Sequence, residues 1–313
     1  MLKEKLRNQD YTIPLSVPDD IPHGDMPGDI VRITKEYIAK ANVIFPILIE
    51  ELKKYDGDKI VICVCGGSGV GKTAISSILA YYLNSNGIGT YVMSGDNYPR
   101  RIPMYNDAER IRIYREGALR GMARENILTP KRLEVIFALQ KEDRDADKTL
   151  ISKYPWLESY IRNGRASLAK YLGSRDEIDF NEVQGIVEQF KSGQKEIWLR
   201  RLGRDATSLW YEKVNFSDID VLIIEWTHGN SDNYSGVDLP IFLNSTPQET
   251  LAHRRARNRD KNTDSPFTEM VLEIEQEMLR KQAYKAKIIL SKSGELLSYR
   301  DYLRIVEEAN GQN

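Results

Sequence analysis

The chain is 313 residues long, with 41% hydrophobic and 29% charged residues, a composition that can bury a core and that excludes an intrinsically disordered protein. Its 45 Lys and Arg are balanced by 46 Asp and Glu, which argues against a globally basic nucleic-acid-binding protein. Two cysteines are too few for a disulfide framework or a cysteine-based zinc site.

Residues 1–12 lack the apolar segment of a secretory signal, and no apolar run approaches the roughly 20 residues that cross a bilayer. We therefore expect a cytoplasmic protein with neither a membrane nor a nucleic acid as its partner.

Strand and helix patterns alternate after a proline-rich arm over residues 1–30, which is expected to be irregular. Runs of β-branched and apolar residues predict strands that are buried on both faces of a parallel sheet. These strands are expected at 59–65, 90–94, 220–225, 239–244 and 287–291. Helices are expected at 31–54, 72–86 and 266–286, and one more begins at the capping-box pattern Thr246-Pro247-Gln248-Glu249. The alternation predicts an α/β fold with a mostly parallel, doubly wound sheet.

Cys63 and Cys65 lie two residues apart in the first predicted strand, so they point to the same face and cannot easily form a disulfide. We expect both to be buried as small hydrophobic residues.

The interval 104–200 interrupts this alternation because it is charged and mainly helical. We predict a helical insertion there that serves as an acceptor-binding subdomain, since elements added to a scaffold often determine selectivity. The predicted division is an N-terminal arm and helix over 1–57, a core over 58–103 and 201–313, and the insertion between the two parts of the core.

The segment GGSGVGKT, Gly66–Thr73, fits the phosphate-loop pattern G-x-x-x-x-G-K-[ST] and lies between a predicted strand and a predicted helix. Its backbone amides and the helix N-terminus favour phosphate binding, Lys72 would reach the β and γ phosphates, and the Thr73 hydroxyl would ligate Mg²⁺. The predicted nucleotide-binding residues of the loop are Gly67, Ser68, Gly69, Val70, Gly71, Lys72, Thr73 and Ala74. A GTPase is disfavoured, because the guanine-binding pattern N-K-x-D is absent and the nearest string, KNTD at 261–264, has the wrong order.

Asp96 follows the second predicted strand, and the carboxyl ends of parallel strands face the ligand crevice. A carboxylate at this place can accept the proton of an attacking hydroxyl, which makes Asp96 the predicted general base. The adjacent Tyr98, Arg100 and Arg101 are predicted to bind the acceptor. The alternative is that Gly95-Asp96-Asn97 only forms a turn.

Glu225 ends the third strand and is predicted to be a catalytic residue and, with Thr73, a metal-binding residue. The basic run 253–261 places Arg255 and Arg259 on one helical face, where they could close over the phosphates as a lid. The alternative for this run is a solvated surface. His228 is expected to be a residue of the crevice or a loop, because no partner for a metal site accompanies it.

With these residues in place, the chain resembles the phosphoribulokinase/uridine kinase family of P-loop small-molecule kinases. The resemblance is carried in order by GGSGVGKT, SGDNY, the segment IDFNEVQGIVEQFKSG at 178–193, DVLIIEWTHG and RARNRD at 255–260. It implies a P-loop NTPase fold of three α/β/α layers, with ATP and Mg²⁺ as cofactors, Asp96 as base, and Arg255 and Arg259 in the lid.

The implied activity is transfer of the γ-phosphoryl group to a hydroxyl of a small metabolite: a nucleoside, a sugar or sugar phosphate, or a hydroxy acid. The acceptor could be anionic, and a homodimer is one possible assembly. The chain departs from the family at Trp226, where glycine is usual, at Ala256 in the lid, and in the length of the stretch between Tyr98 and Asp179. Two alternatives stay open, an adenylylsulfate kinase-type enzyme and a nucleotide-binding regulator without turnover.

Overall fold

A computed structural model of the chain describes residues 2–7, 10–29, 31–203, 208–246, 248–252 and 265–311. Its strands are β1 Ile60–Gly66, β2 Thr90–Ser94, β3 Glu196–Leu202, β4 Leu209–Asn215, β5 Val221–Glu225, β6 Leu239–Leu243, β7 Ile288–Leu290 and β8 Leu296–Leu297. Its helices are α1 Leu2–Arg7, α2 Lys35–Leu52, α3 Lys72–Ser85, α4 Pro103–Arg124, α5 Pro130–Lys141, α6 Leu157–Tyr171, α7 Phe180–Lys191, α8 Pro266–Gln282 and α9 Tyr299–Gly311. Residues 248–252 are also helical.

The central sheet has six strands in the order β2-β5-β1-β6-β7-β8, and every pair except β7–β8 is parallel. From β1 the chain passes to the edge strand β2, returns to β5 and then crosses to β6 on the other side of β1. The order of the strands therefore reverses beside β1, where open α/β sheets form their ligand crevice. Glu225 lies level with Val64 of β1 and with Ser94 of β2. The residues that follow these three strands are therefore brought to one edge of the sheet.

Alternation along β1 divides its side chains between two apolar layers. Ile60, Ile62 and Val64 pack with α2 and α3, whereas Val61, Cys63 and Cys65 pack with α7 and α8 on the opposite face. Both cysteines are free and buried, as expected from their spacing. The predicted α/β fold with three layers and a mostly parallel sheet is confirmed, as are all five predicted strands.

The insertion has an apolar core of its own. In that core α4 and α6 pack closely together, and Ala118, Tyr160 and Leu168 are buried there with Met270 and Ile274 of α8. Not all of the interval 104–200 belongs to this core: the helix α7 packs on the central sheet. The strand β3, which begins at the end of the interval, was not expected and pairs antiparallel with β4 in a separate hairpin. The predicted insertion therefore contains helices that pack in their own core and one helix, α7, that packs on the sheet. The division into domains stays a prediction.

The N-terminal arm is less irregular than expected, because residues 2–7 form the short helix α1. Leu2 and Leu6 lie one turn apart and are buried in the layer of α2 and α3. Ile21, in the extended part of the arm, is buried in the same layer. No helix in the described ranges has the length and apolar character needed to cross a bilayer.

Candidate active site

The phosphate loop leaves β1 and ends at α3, which begins at Lys72. Gly69 and Gly71 have φ angles of 80° and 100°, in the left-handed region that glycine adopts without strain. A Cβ on Gly71 would lie 2.3 Å from Cε1 of Tyr37, so α2 packs directly against the loop. These glycines give the loop the conformation in which its backbone amides can surround a phosphate.

Lys72 is bound to its own loop. Its Nζ donates hydrogen bonds of 3.1 Å to the carbonyl oxygens of Gly66 and Gly67. The ammonium group is thereby held at the mouth of the loop, where a phosphate oxygen could replace the carbonyl partners. The role of Lys72 in phosphate binding stays a prediction.

Glu225 is buried at the end of β5, with 4% of its surface exposed. Its two carboxylate oxygens accept hydrogen bonds from Thr73 Oγ1 at 3.0 Å and from Ser94 Oγ at 2.7 Å. Burial, and next the negative charge of Asp96, raise the pKa of Glu225 to about 7, although Lys72 and the two hydroxyl donors act in the opposite direction. The structure thus brings Glu225 at the end of β5 together with Thr73 at the start of α3 and Ser94 at the end of β2.

The oxygen atoms of Thr73 and Glu225 fit a magnesium site. Mg²⁺ commonly takes only one or two protein oxygens and completes its coordination with phosphates and water. A cation would also stabilise the ionised form of the Glu225 carboxyl, which burial disfavours. Among the described residues there is no cluster of three or more His, Cys, Asp or Glu side chains that could hold a metal without such help.

Asp96 lies in a 3-10 turn, Gly95–Asn97, directly after β2, and its side chain is exposed. The turn is packed tightly, because a Cβ on Gly95 would lie 2.0 Å from Cγ of Trp226. Trp226 is buried and contacts Phe180 and Tyr234, so it fixes the turn against the core. The aromatic residue that departs from the family pattern therefore supports the turn that carries the predicted base.

The N-terminal arm also reaches this turn, a contact that no sequence pattern indicated. The buried Asp25 carboxylate accepts hydrogen bonds from Ser94 N at 2.7 Å, Tyr91 Oη at 3.0 Å and Asn97 Nδ2 at 3.1 Å. It also forms an ion pair of 2.9 Å with Arg201 of β3, which is 3% exposed. Asp25 therefore connects the arm, the Asp96 turn and the hairpin.

The predicted acceptor-binding residues after Asp96 have other contacts. Tyr98 is fully buried, and its hydroxyl lies 3.6 Å from Met93 Sδ, so it offers no surface to a ligand and is part of the core. Arg100 donates to the Asp179 carboxylate at 3.1 Å, and Arg101 donates to the Tyr171 hydroxyl at 2.9 Å. The two side chains thus bind the end of α6 and the residue before α7. Their part in acceptor binding stays a prediction.

The predicted lid lies outside the described residues, which include neither Arg255 nor Arg259. The start of the preceding helix is described, and it has the expected capping box. Glu249 N donates to Thr246 Oγ1 at 3.2 Å, and Thr246 N donates to the Glu249 carboxylate at 2.6 Å.

The insertion and α8 contribute a cluster of charged side chains that no local sequence pattern indicated. Arg110 Nε of α4 donates to Glu177 at 2.6 Å, and Arg110 Nη2 lies 4.0 Å from Glu275 of α8. Burial raises the pKa of Glu275 and lowers that of His228 to about 4. Glu275 lines a small hollow together with Gly67 and Ser68 of the phosphate loop, so α8 lies against the loop.

The chain is similar to known kinases of small metabolites. It is 37% identical over 251 residues, or 79% of its length, to a bifunctional alpha-galactosidase/sucrose kinase from Mediterraneibacter gnavus, and it spans only 22% of that relative. No family model matches the chain.

Among solved structures, phosphoribulokinase from Rhodobacter spheroides is 15% identical, with a TM-score of 0.46, 75% of this chain covered and 70% of that one. A D-glycerate 3-kinase from Cryptococcus neoformans is 11% identical, with a TM-score of 0.46, 85% of this chain covered and 98% of that one. The match to the curated relative, which extends over most of the chain, confirms the predicted resemblance to kinases of small metabolites.

Proposed function

We propose that the protein is an ATP-dependent kinase that transfers the γ-phosphoryl group to a hydroxyl of a small metabolite. The observation that carries this proposal is the convergence of three strand ends: the loop Gly66–Thr73 after β1, Asp96 after β2 and Glu225 at the end of β5. A phosphate-binding loop opposite a carboxylate is the arrangement that phosphoryl transfer requires.

In the proposed reaction the loop amides and Lys72 bind the β and γ phosphates and hold them in line with the acceptor. Asp96 accepts the proton of the acceptor hydroxyl as that oxygen bonds to the γ-phosphorus, and the bond from phosphorus to the β,γ-bridging oxygen breaks to release ADP. Thr73 and Glu225 would hold Mg²⁺, which supplies neutralisation of the phosphate charge. The arginines Arg255 and Arg259 are proposed to close over the phosphates and exclude water.

We propose a sugar as the acceptor. Of the two activities in the name of the curated relative, only the kinase needs a phosphate loop, because glycoside hydrolysis uses a pair of carboxylates on either side of the scissile bond. The similarity of this chain therefore supports the sucrose kinase activity and, with it, a sugar hydroxyl. The cytoplasmic location and the homodimer stay predictions.

Incubation with ATP, Mg²⁺ and a panel of sugars, nucleosides, hydroxy acids and adenylylsulfate tests the proposal, with mass spectrometry of the acceptors and measurement of ADP. We expect one class of sugar to gain a phosphoryl group and to stimulate ADP release. Phosphorylation of adenylylsulfate instead would favour the alternative kinase, and tight ATP binding with no turnover on any compound would favour a regulator.

A further inference from the structure

The N-terminal arm lies against β2 and β5, the two strands that lead to Asp96 and Glu225. Ile21 and Met26 are buried and anchor this part of the arm. Between them Gly24 approaches Glu225 so closely that a Cβ would lie 3.3 Å from Oε1 of the carboxylate. The backbone of the arm is therefore packed directly against one of the predicted catalytic residues.

Asp25, the next residue of the arm, binds both ends of the turn that carries Asp96. One carboxylate oxygen, Oδ1, accepts hydrogen bonds from Ser94 N at 2.7 Å and from Asn97 Nδ2 at 3.1 Å. Ser94 is the last residue of β2 and Asn97 is the last residue of the 3-10 turn, so Asp96 lies between two residues that share one acceptor. The other oxygen, Oδ2, forms the ion pair with Arg201.

The hairpin β3–β4 binds the same turn. Asn97 is fully buried, its Oδ1 accepts a hydrogen bond from Leu202 N at 3.0 Å, and its carbonyl oxygen accepts one from Arg200 Nε at 2.8 Å. The arm and the hairpin therefore meet one residue after Asp96. Asp96 itself is exposed, so its position depends mainly on the backbone of the turn and on the groups that hold this backbone.

We propose that Asp25 is a positioning residue for phosphoryl transfer, which holds the turn Gly95–Asn97 where the Asp96 carboxylate can reach the acceptor hydroxyl. The inference rests on the proposed kinase function and adds a residue of the N-terminal arm to those that the reaction requires. A general base must lie within hydrogen-bond distance of the hydroxyl whose proton it accepts. Because a displacement of about 1 Å can cost about 100-fold in rate, loss of this support lowers kcat.

The competing interpretation is that Asp25 only neutralises Arg201, a buried cation that also pairs with Glu212 at 3.0 Å. In that case Asp25 would contribute to stability and not to the rate of transfer. The two roles can be separated because they use different oxygen atoms of the same carboxylate.

The test uses two double variants of the full-length protein, both without the ion pair. Asp25→Asn with Arg201→Met keeps an oxygen that can accept from Ser94 N and Asn97 Nδ2. Asp25→Ala with Arg201→Met has no acceptor at this place. Each is compared with the wild type in kcat, with MgATP and saturating sucrose, glucose or fructose. Calorimetry of ADP without metal measures the phosphate loop separately, and urea unfolding measures stability.

We expect the alanine double variant to lose about 10- to 100-fold in kcat, because the turn is no longer held, while its affinity for ADP stays within about twofold. The asparagine double variant should keep kcat within about threefold of the wild type, because its hydrogen bonds to the turn remain. If the alanine double variant does not fold, Asn97→Ser replaces it, since this change removes the amide that donates to Asp25. Its kcat should fall at least about fivefold.

Asp238→Asn is the matched control. Asp238 also joins a backbone amide to a cation, because it accepts from Val61 N at 2.9 Å and from Lys191 Nζ at 2.6 Å. It lies where β1 and β6 begin, at the edge of the sheet opposite Glu225. The control should leave both kcat and ADP affinity unchanged.

Wild-type kcat in the variant that lacks the acceptor, or equal losses of kcat in the two double variants, would overturn the inference while leaving the kinase function intact. A loss of ADP affinity as large as the loss of kcat would also overturn it, because the damage would then not be confined to the base. Transfer by the wild type to none of these sugars nor to the wider panel would overturn the kinase proposal, and this inference with it.

Discussion

Replacement of Glu225 by glutamine should make the ligand-free protein more stable at neutral and alkaline pH. The carboxyl is buried, and its pKa is raised from 4.5 to about 7, with burial as the largest cause and the charge of Asp96 as the next. A carboxyl whose pKa is higher in the folded than in the unfolded state destabilises the fold once it ionises. This destabilisation is absent well below pH 4.5, grows between pH 4.5 and about 7, and is complete above that range.

The size of the effect follows from the shift of about 2.5 pH units. At about 1.4 kcal/mol per unit, ionised Glu225 lowers the free energy of unfolding by about 3 kcal/mol at pH 8 and by about 1 kcal/mol at pH 5. Glutamine has nearly the same shape and carries no charge, and the Thr73 and Ser94 hydroxyls can rotate to donate to its oxygen or accept from its amide. The variant should therefore be more stable than the wild type by these amounts.

Urea unfolding of both proteins at pH 5, 6, 7 and 8, without nucleotide or metal, measures this difference. Glu188→Gln, on the exposed side of α7, controls for a general effect of replacing glutamate. The reasoning would be refuted by a stability difference that stays constant from pH 5 to pH 8, or by a Glu225→Gln protein that is less stable than the wild type at pH 8. A protein that gains stability when a candidate catalytic carboxylate is removed would show the conflict between stability and activity that is common at active sites.

Two further substitutions test the supports of the site. Asp25→Ala should lower the free energy of unfolding by about 3 kcal/mol in urea, because Arg201 loses its buried carboxylate partner and keeps only the half-exposed carboxylate of Glu212. The double variant with Arg201→Met should recover most of this loss. Full stability in Asp25→Ala would contradict the ion pair. Gly71→Ala should weaken ADP binding, measured by calorimetry, and lower the melting temperature, because its Cβ would collide with Tyr37. Gly87→Ala is the control, with a φ of 76° and no atom within 4 Å of its Cβ; it should cost only about 1 kcal/mol and leave ADP binding unchanged.

The sequence was sufficient for the core strands and the phosphate loop because these signals are local. A run of β-branched residues predicts a strand buried on both faces wherever it occurs, and β1 and β5 are such runs. The loop needs glycines at positions with positive φ, and the pattern places Gly69 and Gly71 there. Glu225 could be predicted because it ends a strand whose neighbours also carry polar residues at their ends.

The hairpin β3–β4 escaped prediction because its buried positions include charged residues. Arg200 and Arg201 are 7% and 3% exposed, and their guanidinium groups bond to Asn97 O at 2.8 Å and to Asp25 at 2.9 Å. These partners are more than a hundred residues away in the chain. Without them, two adjacent arginines indicate a solvated segment, and the rest of 104–200 suggested helix.

The sequence also did not indicate the directions in which the side chains near the site point. Tyr98 follows Asp96 by two residues, yet the 3-10 turn between them directs Asp96 to solvent and Tyr98 into the core. Glu275 and Arg110 lie in helices far apart in sequence and approach each other only because α8 packs on the insertion. No spacing rule connects such residues, so their proximity became visible only in the structure.

The most direct test of the proposed phosphoryl transfer is acceptor-stimulated ADP release by Asp96→Asn, measured together with its affinity for ATP. We expect ATP binding close to that of the wild type and turnover reduced by about 10²- to 10⁴-fold, as for the loss of a general base, whereas Lys72→Ala should lose transfer altogether. Wild-type turnover in Asp96→Asn would contradict the account, because proton removal by the carboxylate opposite the phosphate loop would then play no part in the reaction.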